Sequence, residues 1–200
     1  MFYKIAKSLI KGFVHIFFRL KVHNAENFPK DDAAIIVANH KSNWDPFVCA
    51  SVVPRQLFFM AKKEIFDVPV LSGVAKAFGA FPVNREIADI GAIKTAMSLL
   101  KQGKCVAIFP EGTRVKGGKE HNVKSGAVMI ASKAKVPVIP MAIKGKYGLF
   151  RKIDIYIGSP VYTENSDGTK LSHEEIDELS KQLMSDVLKT AGENFESLSC

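Results

Sequence analysis

The feature that most constrains this fold is a succession of short apolar runs separated by helix-length segments. "AAIIVAN" (33–39), "QLFFMA" (56–61), "AFPV" (80–83), "KCVAIFP" (104–110), "VPVIPMAI" (136–143) and "KIDIYIGSPV" (152–161) are short and rich in β-branched or aromatic residues, and read as buried strands. Helix patterns lie between them. Asp45-Pro46 reads as a helix start with Asp as N-cap, which puts a helix over 46–53. Residues 68–79 form a small-residue helix pattern ending at Gly79. Residues 89–103 place Ile90, Ile93, Met97 and Leu100 at helical spacing between an Asp cap and a Gly stop. A further helix is expected over 125–135. Another spans 172–195, opened by a Ser172/Glu175 capping box. Strands alternating with helices predict an α/β fold, with a central, mostly parallel sheet flanked by helices.

Two hundred residues suffice for one full core. The N-terminus stands apart. "MFYKIAKSLIKGFVHIFFRL" is apolar and aromatic, but Lys4, Lys7, Lys11 and Arg19 interrupt it. A spanning helix needs roughly 20 largely uncharged residues, which this stretch lacks. On a helical wheel Lys4, Lys7, Ser8, Lys11, His15 and Arg19 share one face; Phe2, Ile5, Leu9, Ile10, Phe13, Ile16, Phe17 and Leu20 share the other. Phe18 is the exception. A basic face opposite an aromatic-rich one is the pattern of a helix lying in a membrane interface. The expectation is therefore an amphipathic interfacial helix over 1–23, contacting the membrane through residues 1–20, and a single α/β domain over 24–200.

The formal net charge of +8 calls for an anionic partner: nucleic acid, a phospholipid surface or a phosphorylated substrate. Nucleic acid is disfavoured. No Arg/Lys cluster with interleaved aromatics, zinc finger or RNP-like strand is present. Cys49, Cys105 and Cys200 match neither a zinc site nor a CxxC motif. Cys49 and Cys105 lie in apolar segments, as buried thiols of a protein in a reducing, cytoplasmic setting would. The five histidines are scattered, so no metal is expected.

Ligands on parallel sheets sit beyond the carboxyl ends of the strands. Three strand ends here carry polar clusters: Asn39-His40, Asn84-Arg85, and Glu111-Gly112-Thr113-Arg114. In a parallel sheet these ends converge. His40 and Asp45 are spaced so that a tight loop can turn the carboxylate back to the imidazole, which makes a general base and its orienting group. The alternative is that Asp45 merely caps the following helix. No G-x-S-x-G elbow supplies a serine nucleophile, so a base here points to a nucleophile brought by the substrate. In "FPEGTR" (109–114), Gly112 permits close backbone approach, Thr113 adds a hydroxyl, and Arg114 offers a fork for phosphate or carboxylate. Arg85 adds a second guanidinium, and Lys124 a charge at a helix start. Each of these has a plain surface-residue alternative when taken singly.

Together the motifs resemble the 1-acyl-glycerol-3-phosphate acyltransferase (lysophosphatidic acid acyltransferase) family. The block from Asn39 to Asp45 is similar to its His-x4-Asp motif, with Lys41 where Gln is common. Gly79–Arg85 resembles the second block, Phe109–Arg114 the third and Val136–Pro140 the fourth. The resemblance implies that His40, oriented by Asp45, deprotonates the sn-2 hydroxyl of lysophosphatidate for attack on acyl-CoA or acyl-carrier protein. It implies that Arg85 and Arg114 bind the acceptor phosphate in a loop shaped by Glu111, Gly112 and Thr113, with Asn39 and Lys124 as further candidates. No cofactor or metal is implied. The expected place is the cytoplasmic face of the cell membrane, as a peripheral or monotopic protein. Transfer to another lysophospholipid or to glycerol-3-phosphate, ester or thioester hydrolysis, and non-catalytic membrane binding remain alternatives. Residues 66–79 are expected either to line an acyl tunnel or to form a core helix.

Overall fold

A computed structural model of the chain describes residues 12–85, 87, 89–114, 121–164, 169–193 and 198–199. Its centre is a seven-stranded sheet in the order β1-β8-β7-β2-β5-β3-β4. The strands are β1 (Phe18–His23), β2 (Ala34–Ala38), β3 (Leu57–Lys62), β4 (Ala80–Val83), β5 (Cys105–Ile108), β7 (Val138–Lys144) and β8 (Arg151–Ile157). A separate two-residue pair joins β6 (His121–Asn122) to β9 (Leu198–Ser199). Strands β7, β2, β5, β3 and β4 run parallel. β8 pairs antiparallel with β7, and β1 runs parallel to β8. The expected mostly parallel sheet is present, closed on one side by two reversed strands.

The helices are α1 (Asp45–Val52), α2 (Pro69–Ala77), α3 (Ile90–Lys101), α4 (Gly126–Ala134) and α5 (His173–Ala191). Asp89 caps α3 by accepting from the Ala92 N–H, and Ser172 and Glu175 form the expected capping box on α5. All five residues of β2 are buried, because the strand is covered on both faces. Ile36 and Ala38 point into a core shared with Val48 and Cys49 of α1. Ile35 and Val37 point into a second core with Ala96 of α3, Ala131 of α4 and Met184 and Leu188 of α5. Gly79 joins α2 to β4 at φ 72°, and a Cβ there would meet the Gln56 amide at 2.9 Å and the Leu57 carbonyl at 3.1 Å. Only glycine fits that turn.

The N-terminal expectation is corrected at its end. Residues 1–11, the larger part of the expected helix, lie outside the described residues. Residues 12–17 are helical, but Phe18–His23 form the edge strand β1. The reason is a period-two pattern: Phe18, Leu20 and Val22 pack on the first core while Arg19 and Lys21 are exposed. The misfit of Phe18 on the helical wheel marked that change of period. Among the described residues no helix is long and apolar enough to cross a membrane.

Candidate active site

His40 leaves the carboxyl end of β2 on the loop that enters α1. Its Nδ1 lies 2.9 Å from Oδ2 of Asp45, which is wholly buried. The same oxygen accepts from the Lys41 and Ser42 N–H groups, each at 2.7 Å. The other oxygen, Oδ1, accepts from the Tyr147 hydroxyl at 2.5 Å. The Asp45 carboxylate acts as acceptor toward all of these groups, so the His40 proton on this side belongs on Nδ1, and Nε2 is the nitrogen left to take a proton. Asp45 does not cap α1 with its side chain, as one sequence reading had it. It faces backward and closes the loop instead. The Phe109 ring stacks on the imidazole, with centroids 4.3 Å apart, and limits its rotation.

Glu111 also turns to this loop. Its Oε2 accepts from the His40 backbone N–H at 2.6 Å. Burial, opposed by that hydrogen bond and reinforced by Glu193 and Asp45, pushes its carboxyl up to about 8. Asn39 is wholly buried. Its side chain donates to the Ile143 carbonyl at 3.1 Å and accepts from the Ile143 N–H at 2.8 Å, and its amide also donates to Glu193. It thus fastens the end of β2 to β7. Lys41 bonds the same Ile143 carbonyl at 2.5 Å and lies 3.5 Å from Glu193.

The basic cluster lies at the ends of β4 and β5. Although β3 separates these strands, the Arg85 guanidinium reaches across to donate to the Gly112 carbonyl. Lys124 Nζ donates to the Arg85 carbonyl at 3.0 Å. Gly112 sits at φ 64°, and a Cβ there would touch the Lys124 side chain. Burial lowers the Arg85 pKa, Glu64 opposes this, and the Arg114 charge lowers it further. Thr113 and Arg114 are exposed on the turn. A cavity of about 460 Å³ opens beside Arg85, Gly112 and Lys124. Its apolar walls come from the strand ends at Met60 and Ile108 and from Ala92 and Ile93 of α3 and Ile130 of α4. Helix α2 does not line it.

The Cys49 thiol of α1 is no competing nucleophile, since burial and then the Asp45 charge hold it far above the ordinary range. Among the described residues no three His, Cys, Asp or Glu side chains group as metal ligands. The arrangement sets an imidazole held by a buried carboxylate at the same sheet edge as a cluster of cationic side chains.

Comparison with known proteins gives the family. A family model described as Acyltransferase matches residues 19–144. The chain is 36% identical over 167 residues to the 1-acyl-sn-glycerol-3-phosphate acyltransferase of Bacillus subtilis (strain 168), covering 80% of this chain and 82% of the relative. The chain belongs to the 1-acyl-sn-glycerol-3-phosphate acyltransferase family. The enzyme of that name from Streptococcus pneumoniae is 33% identical over 172 residues, 82% of this chain and 63% of the relative. The crystal structure of the 1-acyl-sn-glycerophosphate acyltransferase from Thermotoga maritima superposes with a TM-score of 0.72 at 30% identity, over 95% of this acyltransferase and 78% of that chain.

The sequence points to Asn39, His40, Asp45, Arg85, Glu111, Gly112, Thr113, Arg114 and Lys124, and the fold brings them to one edge of the sheet. Sequence reasoning misses Tyr147, Glu193 and Phe109. Tyr147 is 102 residues from Asp45 in the chain, and only the β7–β8 connection brings it there. Phe109 carried a readable signal, since it opens the FPEGTR turn at the end of β5.

Proposed function

We propose that His40 acts as the general base of an acyl transfer. The enzyme is a 1-acylglycerol-3-phosphate O-acyltransferase, which makes phosphatidic acid from lysophosphatidic acid and an acyl donor. His40 Nε2 takes the proton of the acceptor's sn-2 hydroxyl, and the oxygen attacks the carbonyl of a thioester, acyl-CoA or acyl-carrier protein. The tetrahedral intermediate collapses with cleavage of the C–S bond, and the thiolate leaves with the proton carried by His40. Asp45 holds the imidazole in the required tautomer and balances its charge while it is protonated. The observation that carries this reading is the bond from His40 Nδ1 to the buried Asp45 carboxylate.

Arg85, Arg114 and Lys124 bind the acceptor phosphate, supported by their convergence around Gly112. Glu111 acts from behind, by fixing the His40 backbone. The apolar cavity bordering the basic cluster suits the acceptor's acyl chain. Because acceptor and product are amphiphiles, the enzyme works at a membrane surface, on the cytoplasmic face, with its basic N-terminal segment at the lipid. The exposed Phe13, Ile16, Phe17 and Trp44 beside the site support this. Supplying lysophosphatidate with labelled acyl-CoA and identifying the product tests the reading. Labelled phosphatidate is expected; release of free fatty acid without it would refute acyl transfer to the acceptor.

A further inference from the structure

Helix α2 is built inside out. Its one buried side chain is Ser72, while Val70 is 76% exposed, Leu71 51% and Val74 42%. An amphipathic helix on a soluble domain turns such residues inward. Here Ser72, Ala75 and Ala77 face the protein and the branched aliphatic residues face outward. Apolar patches of this kind mark a surface that another apolar phase covers.

The fold shows where this surface points. β3 ends at Lys62, and α2 follows from the same carboxyl edge that carries His40 and Arg85. The other exposed large hydrophobics of the described residues share that edge, with Tyr162 the exception. Phe17 precedes β1, Trp44 follows β2, Ile87 follows β4, and Phe150 joins β7 to β8. Since β1 and β8 run opposite to the parallel strands, all of these segments meet at one edge. α2 lies on the β3–β4 side, apart from the N-terminal segment, which enters the sheet at β1 on the far side. Exposed Lys62 and Lys63 precede it and exposed Lys76 lies in its last turn, with Asp67 and Glu64, which pairs with Lys62 at 3.4 Å, opposing, on a chain of net charge +8.

We propose that α2 is a second interfacial anchor, which lays Val70, Leu71 and Val74 into an anionic bilayer on the β3–β4 side of the site. The inference rests on the reading that the acceptor is taken from a membrane. Anchors on both sides of His40 would hold the carboxyl edge flat on the lipid, where one anchor would let it tilt.

The test uses the full-length chain with Val70, Leu71 and Val74 all replaced by serine. Partition onto vesicles of phosphatidylcholine and phosphatidylglycerol is measured by flotation, beside melting temperature, sedimentation and activity on short-chain lysophosphatidate dispersed below its aggregation concentration. Removing three aliphatic side chains from an interface should weaken partition about tenfold or more. Melting temperature and activity on dispersed substrate should stay unchanged, because these side chains support neither the core nor the site. Unchanged partition would overturn the proposal. A wild-type dimer that becomes monomeric in the variant at unchanged partition would also overturn it and give the face to a second copy. The readout does not depend on catalysis: if no phosphatidate forms but the variant still loses partition, the enzymatic reading fails while the anchor stands. A wild-type chain that ignores vesicles altogether defeats both the membrane reading and the anchor.

Discussion

Replacing Tyr147 by Phe removes one hydroxyl and little else. The ring keeps its edge-on contact with Phe18, with centroids 5.3 Å apart, so no cavity opens. Lost is the hydrogen bond of 2.5 Å to Oδ1 of a carboxylate with no solvent exposure. A hydrogen bond to a charged group contributes about 1.5–3 kcal/mol, and its loss leaves a buried acceptor short of a donor. We expect the variant to unfold more easily by about 2 kcal/mol in urea, at unchanged m-value. Oδ2 keeps its bonds to His40, Lys41 and Ser42, so the base stays oriented through a less rigid carboxylate. Acyl transfer should fall in kcat by about tenfold or less, well short of the loss on removing the base. Wild-type stability in Tyr147→Phe would refute the claim that this hydroxyl holds Asp45. A loss of activity as large as that of a His40 variant would show that Tyr147 takes part in proton transfer, contrary to its role here as a positioning residue.

Glu111 gives a pH prediction. Its folded pKa, about 8, lies above the ordinary 4.5, so folding favours its protonated form. Its contribution to stability is complete below pH 4.5 and is lost as pH rises toward 8; Glu111→Gln should flatten that decline in denaturation curves while keeping an acceptor for the His40 N–H. Arg114→Ala should raise the acceptor KM about tenfold with kcat and melting temperature little changed, since the side chain is exposed and its phosphate contact exists in the ground state. An unchanged KM would remove it from the phosphate site. Deleting residues 1–11 should weaken vesicle binding without unfolding the domain, as read by flotation and circular dichroism. A cut reaching residue 20 should unfold it, because it would take half of β1 from the sheet edge.

Much of this was legible in the sequence, because short apolar strands and capped helices are local patterns. The mostly parallel sheet followed from the alternation of strands and helices, and the strand ends marked the edge at which His40, Glu111 and Arg85 lie. The misreadings came where two periods compete or where contacts are distant. Phe18–His23 fits a helical wheel loosely and a strand well, and the basic residues drew attention to the wheel. Asp45 before Pro46 has the local signature of a helix cap; only the loop geometry shows its carboxylate facing upstream. Tyr147 and Glu193 reach the site through the order of β7 and β8 and the length of α5, neither of which a sequence pattern states. Residues 66–79 looked like core or tunnel because they are apolar, and apolarity does not reveal which side of a helix meets protein.

The central claim is that His40 removes the acceptor's proton while held by Asp45. It is tested most directly by measuring phosphatidate formation from lysophosphatidate and labelled acyl-CoA with His40→Ala. Base removal is expected to lower kcat by about a hundredfold to ten-thousandfold, with vesicle binding and folding retained. A wild-type rate in that variant would contradict the account.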